Sequence, residues 1–290
     1  MELTSAEYQY DPDNFKVTEE MIADYNNYGY IMIRGLLDKE EMTGVKKVLE
    51  ESEMRSKYGY GLPDGTGKEP KFVIWGHPGN DVTGMVARSE KVVNTSEKLL
   101  GGGEIYHYHA KFVQKDARTG GGLLWHQDYG YWYQNSILFP DLLTAFIAID
   151  KCEKANGCLQ ILRGSHKCGR IDHRPQSGQH QADLERVEEI KKICPLEFVE
   201  MNPGDAIFFS CNLLHTSDVN NSDTRRWVLL FSYNLKSNNS LREHHHPQYT
   251  PIEKVPNSAI KECTNYFDLS GKDFLDPDID KTVKAHKPEY

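Results

Sequence analysis

The chain has 290 residues, 38% of them hydrophobic and 11% aromatic, enough to bury a sizeable core and too many for a disordered chain. Its 34 Lys and Arg against 43 Asp and Glu leave a formal charge of -9, which argues against a broad nucleic-acid or anionic-membrane surface. No apolar run approaches the roughly 20 residues of a membrane span, and "MELTSAEYQYDPDNF" is acidic and polar where a secretory leader is basic and then apolar, so no membrane partner and a cytoplasmic location are expected.

At this length a single decorated domain over 1–290 is expected, in four stretches: an N-terminal arm at 1–16, helical decoration and loop at 17–104, a β core at 105–240 and a C-terminal extension at 241–290. After the irregular arm, "TEEMIADYNNYGY" opens a helix at Thr18. "LLDKEEMTGVKKVLEES" gives a clearer one: Asp38 and Glu41 have capping-box spacing, and Met42, Val45, Val48 and Leu49 share a face. Tyr58 to Gly84 is rich in Gly, Pro and charge and reads as a long loop. A helix over "SEKVVNTSEKLLG" and the Gly101-Gly102-Gly103 turn follow, after which the period changes to two.

Short strands are predicted at "EIYHYHAKFVQ", "LLTAFIAID", "CLQILR", "LEFVEM", "AIFFSC" and "RWVLLFSYNL", with one helix at "QADLERVEEIKKI". This order points to a mainly β sandwich or jelly roll with helices on its N-terminal side. The six cysteines, Cys152, Cys158, Cys168, Cys194, Cys211 and Cys263, form no regular framework and read as reduced, packed thiols. His244, His245 and His246 read as a solvated surface cluster.

In "LLWHQDYGYWY", His126 and Asp128 would share one face of an extended strand, with Gln127 turned the other way, so that Gln127→Ala should lose far less activity than Asp128→Gly. On these residues alone a metal arm and a solvated strand end both fit. A distant His215, just past the apolar "AIFFSCNLL", completes two imidazoles and one carboxylate, the set that non-haem Fe(II) oxygenases use, whereas a zinc site more often brings thiolates or a third histidine. Arg226, eleven residues on, could return to the same end of the fold and offer a fork to a carboxylate, with Ser217 as a further donor. Tyr129, Tyr131 and Trp132, directly after the ligands, read as substrate-pocket aromatics or as core, and His109 and Gln114 on the preceding strand are further candidates, for co-substrate and substrate respectively.

Taken in order, "YGYIMIRGLLDKEEM", "WHQD", "NGCLQILRGSHK", "NPGDAIFF" and "LLHTSDVNNSDTRR" resemble the phytanoyl-CoA dioxygenase family of Fe(II)/2-oxoglutarate oxygenases over roughly residues 18–240. The resemblance implies a double-stranded β-helix (a cupin-like jelly roll) with Fe(II) on His126, Asp128 and His215. It also implies 2-oxoglutarate held by Arg226 and Ser217, with Phe146 where relatives carry a tryptophan beside the co-substrate. O2 would be the oxidant, and a small-molecule substrate, acyl-CoA-like or small and zwitterionic, would be hydroxylated with release of succinate and CO2. Asp128 fills the position that halide-installing relatives leave open. "RGSH" at Arg163–His166 departs from the family's Pro-Gly-Ser/Thr-His, which predicts a changed turn only. A catalytically silent iron and 2-oxoglutarate sensor, or a cupin-like protein with another metal, is the contrasting expectation; oligomeric state is not legible.

Overall fold

The computed structural model describes residues 6–275. In chain order the elements are β1 (Glu7–Gln9), α1 (Glu19–Tyr28), β2 (Tyr30–Arg34), α2 (Lys39–Glu51), α3 (Met54–Tyr58), β3 (Tyr60–Gly61), β4 (Lys71–Trp75), α4 (Val82–Arg88) and α5 (Glu90–Leu99). Then follow β5 (Ile105–Lys115), β6 (Leu123–His126), α6 (Asp128–Trp132), β7 (Leu142–Ala148), β8 (Leu159–Leu162), β9 (His173–Gln176), β10 (Gln179–Ala182), α7 (Leu184–Lys191), β11 (Leu196–Val199), β12 (Ala206–Ser210), β13 (His215–Ser217), β14 (Arg226–Leu235) and α8 (Ala259–Glu262).

An eight-stranded sheet in the order β1-β2-β12-β7-β14-β5-β4-β3 faces a four-stranded sheet, β11-β8-β13-β6, and β9 pairs with β10 in a separate hairpin. Alternation along the large sheet sorts its side chains into two layers. Phe112, Ala145, Ile147, Phe208, Leu229 and Phe231 pack under the helices, against Val45, Val48, Leu49, Val86 and Val92. Val113, Phe146, Ile207, Phe209 and Val228 turn inward with Leu159 and Ile161 of the small sheet. Each fully buried aliphatic or aromatic side chain contributes about 1.5–3 kcal/mol, so these layers supply the main driving force for the fold.

Helix α2 begins where the sequence places it. Asp38 accepts from the amides of Glu40 and Glu41 at 2.9 and 3.0 Å, and Glu41 Oε2 accepts from the Asp38 amide at 2.9 Å. Glu41 also meets Lys91 Nζ of α5 at 2.7 Å with both side chains buried, so one residue caps its helix and ties it to another.

Three regions differ from the sequence reading. The N-terminal arm contains β1, parallel to β2, because its ladder partner is the edge that β2 offers. The presumed loop contains β3, β4 and the start of α4: Lys71 to Trp75 pair with β5 in full register, so "KFVIW" outweighs the surrounding Gly and Pro. Hairpin β9–β10 gives no sequence signal beyond its turn at Ser177 and Gly178, both at positive φ. Described residues of the C-terminal extension are strapped onto the start of α5 by the Ser89–Val255 bridge and onto the end of β4 by the Trp75–Phe274 bridge. No described helix is long and apolar enough to cross a membrane.

Candidate active site

The two facing sheets leave a cavity of about 360 Å³ between them, and the three residues of the predicted metal set open into it. His126 ends β6 and His215 begins β13, and these residues are paired across the ladder. Strand β6 stops at His126 and Asp128 already belongs to α6, but Gln127 keeps an extended backbone (φ -110, ψ 136). The alternation therefore holds one residue past the strand, and His126 and Asp128 reach the same side.

One ligating atom from each of His126, Asp128 and His215 lies within 4.8 Å of the others, and among the described residues this is the group of three or more such side chains that could hold a metal. Nδ1 of His126 donates to the Leu124 carbonyl at 2.7 Å, and Nδ1 of His215 donates to that of Leu213 at 2.9 Å. Those bonds fix the tautomer that leaves each Nε2 lone pair free for a cation. Burial, reinforced by His215, pushes His126 well below the usual imidazole range, and burial also lowers His215. Burial alone would raise Asp128, but Lys111 and the two imidazoles override it and hold the carboxyl below its ordinary value. Two neutral imidazoles and one carboxylate are the protonation states that Fe(II) requires.

Asp128 is oriented from its far side. Tyr131 Oη donates to its Oδ1 at 2.9 Å, Lys111 Nζ lies 3.8 Å away, and Lys111 donates to Tyr131 Oη at 3.0 Å. At the opposite end of the cavity Arg226 is 2% exposed. Its Nη2 donates to the Gly157 carbonyl at 2.8 Å, while Nε has no partner. Among the described residues it forms no ion pair, which is costly for a buried guanidinium unless an anionic ligand completes it. Beside it Lys115 Nζ donates to Ser217 Oγ at 2.7 Å and to the Asp218 carbonyl, and burial together with Arg226 pushes Lys115 well below its usual value. A metal triad and a buried guanidinium without a carboxylate partner, bordering one largely apolar cavity, form a receptacle for a small dianion that chelates at one end, as 2-oxoglutarate does.

Of the sequence candidates, His126, Asp128, His215, Arg226, Ser217, Phe146, Tyr131 and Trp132 all border this cavity. Three do not. Gln114 shares the strand parity of Phe112 and lies across from Trp227 on the helix-covered face of the sheet. Tyr129 turns into a neighbouring cluster, where its hydroxyl donates to the Leu138 carbonyl at 2.6 Å. His109 is fully buried behind the wall, edge-on to Trp132 and stacked on His246 at 4.5 Å.

Two further readings are corrected. The histidine cluster is not a solvated patch: His245 and His246 form part of the cavity wall, since the extension folds back over its mouth. Gln127 does point away from the ligands but is fully buried, its amide donating to Gly169 and Asn212 carbonyls at 2.8 Å each and accepting from Ile171 N at 2.8 Å. Such a side chain is not replaceable without cost. "RGSH" does make a turn, with Gly164 at φ 82, and Arg163 lies 3.5 Å over the Tyr28 ring and pairs with Glu197 at 3.1 Å. Residues that sequence reasoning missed are Lys111, Lys115, Tyr60, Phe72 and His180. The available signal was "AKFVQK", where two lysines fall in phase with Val113 on the buried face of an apolar strand.

The family model for phytanoyl-CoA dioxygenase (PhyH) matches residues 25–228. An L-proline trans-4-hydroxylase of Streptomyces griseoviridis is 28% identical over 181 residues, 56% of this chain and 66% of that protein. An ectoine dioxygenase of Stutzerimonas stutzeri (strain A1501) is 25% identical over 248 residues, 80% of this chain and 81% of the relative. The crystal structure of EctD from S. alaskensis with 2-oxoglutarate and 5-hydroxyectoine superposes with a TM-score of 0.67 at 17% identity, covering 83% of this chain and 88% of that one, which shows the shared fold. With the triad, the double-sheet cavity and the match over most of its length, this chain belongs to the phytanoyl-CoA dioxygenase family.

Proposed function

We infer that the chain is an Fe(II)- and 2-oxoglutarate-dependent dioxygenase that hydroxylates an unactivated C–H bond of a small polar metabolite, with release of succinate and CO2. One observation carries this reading: the His126, Asp128 and His215 triad opens into the same cavity as the buried, unpaired Arg226. His126, Asp128 and His215 would hold Fe(II), which together with 2-oxoglutarate and O2 supplies the oxidising chemistry. Arg226 would present its fork to the distal carboxylate of the co-substrate, with the Ser217 hydroxyl, held from behind by Lys115, bordering the same cavity. Phe146, Phe209 and Val228 line the space between and exclude water from it. Asp128 occupies a ligand position, which favours returning hydroxyl to the substrate over delivering a halide.

The substrate meets the wall formed by Tyr131 and Trp132. A cavity of about 360 Å³ that must also take the co-substrate favours a molecule of amino-acid size over a whole acyl-CoA, in keeping with relatives named for proline and ectoine. The whole of 1–290 would work as one catalytic unit, since the helices and the described part of the extension pack on the same sheet that forms the cavity. A cytoplasmic location accords with the six cysteines being free thiols.

The test is succinate release by the purified chain with Fe(II), 2-oxoglutarate and O2 against a panel of amino acids, imino acids and cyclic zwitterions, with product mass read in parallel. Stimulated succinate formation with a product 16 mass units heavier is expected. Absence of succinate throughout, together with failure to bind 2-oxoglutarate in calorimetry, would overturn the reading.

A further inference from the structure

Strand β6, which carries His126 and leads directly to Asp128, is an edge strand: β13 pairs with it on one side and no strand of its sheet lies on the other. An edge strand leaves unpaired backbone groups and is the least constrained part of a sheet. A metal site needs the reverse, ligands held to within about half an ångström. The segment between Gly169 and Ala182 fills this gap with side chains.

At the start of β6, Leu124 N donates to Gln179 Oε1 at 3.0 Å, and Gln179 Nε2 donates to the Gly122 and Pro63 carbonyls at 3.1 and 3.3 Å. Leu124 is the residue whose carbonyl accepts from His126 Nδ1. Past the end of β6, the Gln127 amide donates to His173 Nε2 at 2.8 Å, and His173 Nδ1 donates to the Ile171 carbonyl at 2.9 Å. Burial lowers His173 to about 4, so Nε2 keeps the lone pair this contact needs. Space closes around the ring: a Cβ on Gly130, two residues after Asp128, would meet it at 2.1 Å. The Gln127 side chain grips the same segment at Gly169 and Ile171.

We propose that hairpin β9–β10 is a clasp for the metal arm, with His173 and Gln179 as positioning residues that replace the missing neighbour strand and fix the angle between His126 and Asp128. The proposal rests on the assignment of those two residues and His215 as ligands. Neither His173 nor Gln179 would touch the metal, and each acts through the backbone of β6 and Gln127. The apolar size of the His173 ring fills space beside Gly130, but its function in the clasp is the acceptor at Nε2.

The two roles separate in a pair of variants. His173→Phe keeps the ring and removes the acceptor, and His173→Gln restores an acceptor at comparable reach. Co(II) is titrated into the full-length protein, read by calorimetry and by its visible absorption, alongside the melting temperature of the metal-free form. Co(II) affinity is expected to fall about ten- to a hundredfold in His173→Phe, with a changed absorption envelope, and to recover to within a few-fold in His173→Gln, since loss of a partner that orients a ligand usually costs that much. Should His173→Phe not fold, Gln179→Met removes the contact at the other end and predicts the same loss. Wild-type Co(II) affinity and spectrum in folded His173→Phe or Gln179→Met would overturn the clasp. Failure of the wild-type chain itself to bind Co(II) would instead overturn the ligand assignment.

Discussion

Replacing Arg226 by methionine should cost 2-oxoglutarate affinity while leaving stability nearly unchanged. In the ligand-free protein this guanidinium is 2% exposed, donates one hydrogen bond, to the Gly157 carbonyl, and has no carboxylate partner among the described residues. Its neighbour Lys115 is a second buried basic group, pushed well below its usual value by burial and then by Arg226 itself. Removing the arginine loses a hydrogen bond to a charged donor, about 1.5–3 kcal/mol, but also removes an uncompensated buried charge and its repulsion of Lys115, a change commonly worth about 1–4 kcal/mol in the other direction. The metal-free variant should therefore unfold in urea within about 2 kcal/mol of the wild-type value in either direction. Titrated anaerobically with 2-oxoglutarate in the presence of Co(II), it should bind more weakly by about 2–5 kcal/mol, roughly thirtyfold to several thousandfold. Co(II) binding without 2-oxoglutarate should be unchanged. A variant destabilised by more than about 2 kcal/mol that retains its 2-oxoglutarate affinity would refute the argument, because Arg226 would then be a structural cation.

Gln127→Ala should lower stability by about 3 kcal/mol in urea denaturation, because it strands two carbonyls and one amide that the side chain now satisfies; a loss below 1 kcal/mol would mean that water replaces it freely. Asp128→Gly should cut substrate-coupled succinate formation to a few per cent of wild type or less while shifting the melting temperature of the metal-free protein only modestly, since removing a buried carboxylate offsets the cost of leaving Lys111 without its partner; retained turnover contradicts the triad. Acid should destabilise the metal-free protein early. Burial sets His107, His173 and His244 at about 3, 4 and 4, below the roughly 6.5 of an unfolded histidine. The unfolded chain therefore binds protons first, and stability present above pH 6.5 drains away as pH falls towards 4. Denaturation midpoints that stay level between pH 7 and pH 5 would exclude this.

The metal site leaves a local, chemical trace in the sequence, which becomes an assignment once the ordered motifs are matched to the family. His126 and Asp128 lie two apart on extended backbone, and His215 follows an apolar strand that the period of two identifies. Arg226 is placed by the family resemblance, and alternation along β14 serves only to separate it from Arg225. The candidates that failed did so through the same periodicity applied without register. Gln114 is one residue out of phase with Val113 and Lys115, so the strand that brings those two inward carries Gln114 to the helices. Tyr129 fails for a different reason: α6 replaces the strand after Gln127, and a helical turn spreads Tyr129, Tyr131 and Trp132 over different directions where continued extension would have paired Tyr129 with Tyr131.

What stayed hidden shares one property: it depends on contacts between segments far apart in sequence. Lys115 reads as a strand-end charge until β13 brings Ser217 to it across 102 positions. His246 reads as surface until the extension returns it to His109, which reads as a pocket residue and lies instead in the second layer behind the wall. Gln127 read as expendable for the reason that made its neighbours ligands, since alternation turns it from the metal. That same turn drives it into the segment around Gly169 and Ile171, where its amide meets two backbone groups and reaches a third at Asn212. Facing away from a site is thus no measure of independence from it. In an edge strand the outward side chains hold what the missing ladder would have held, and the ligands on the inner side keep their geometry only as long as those outward contacts persist.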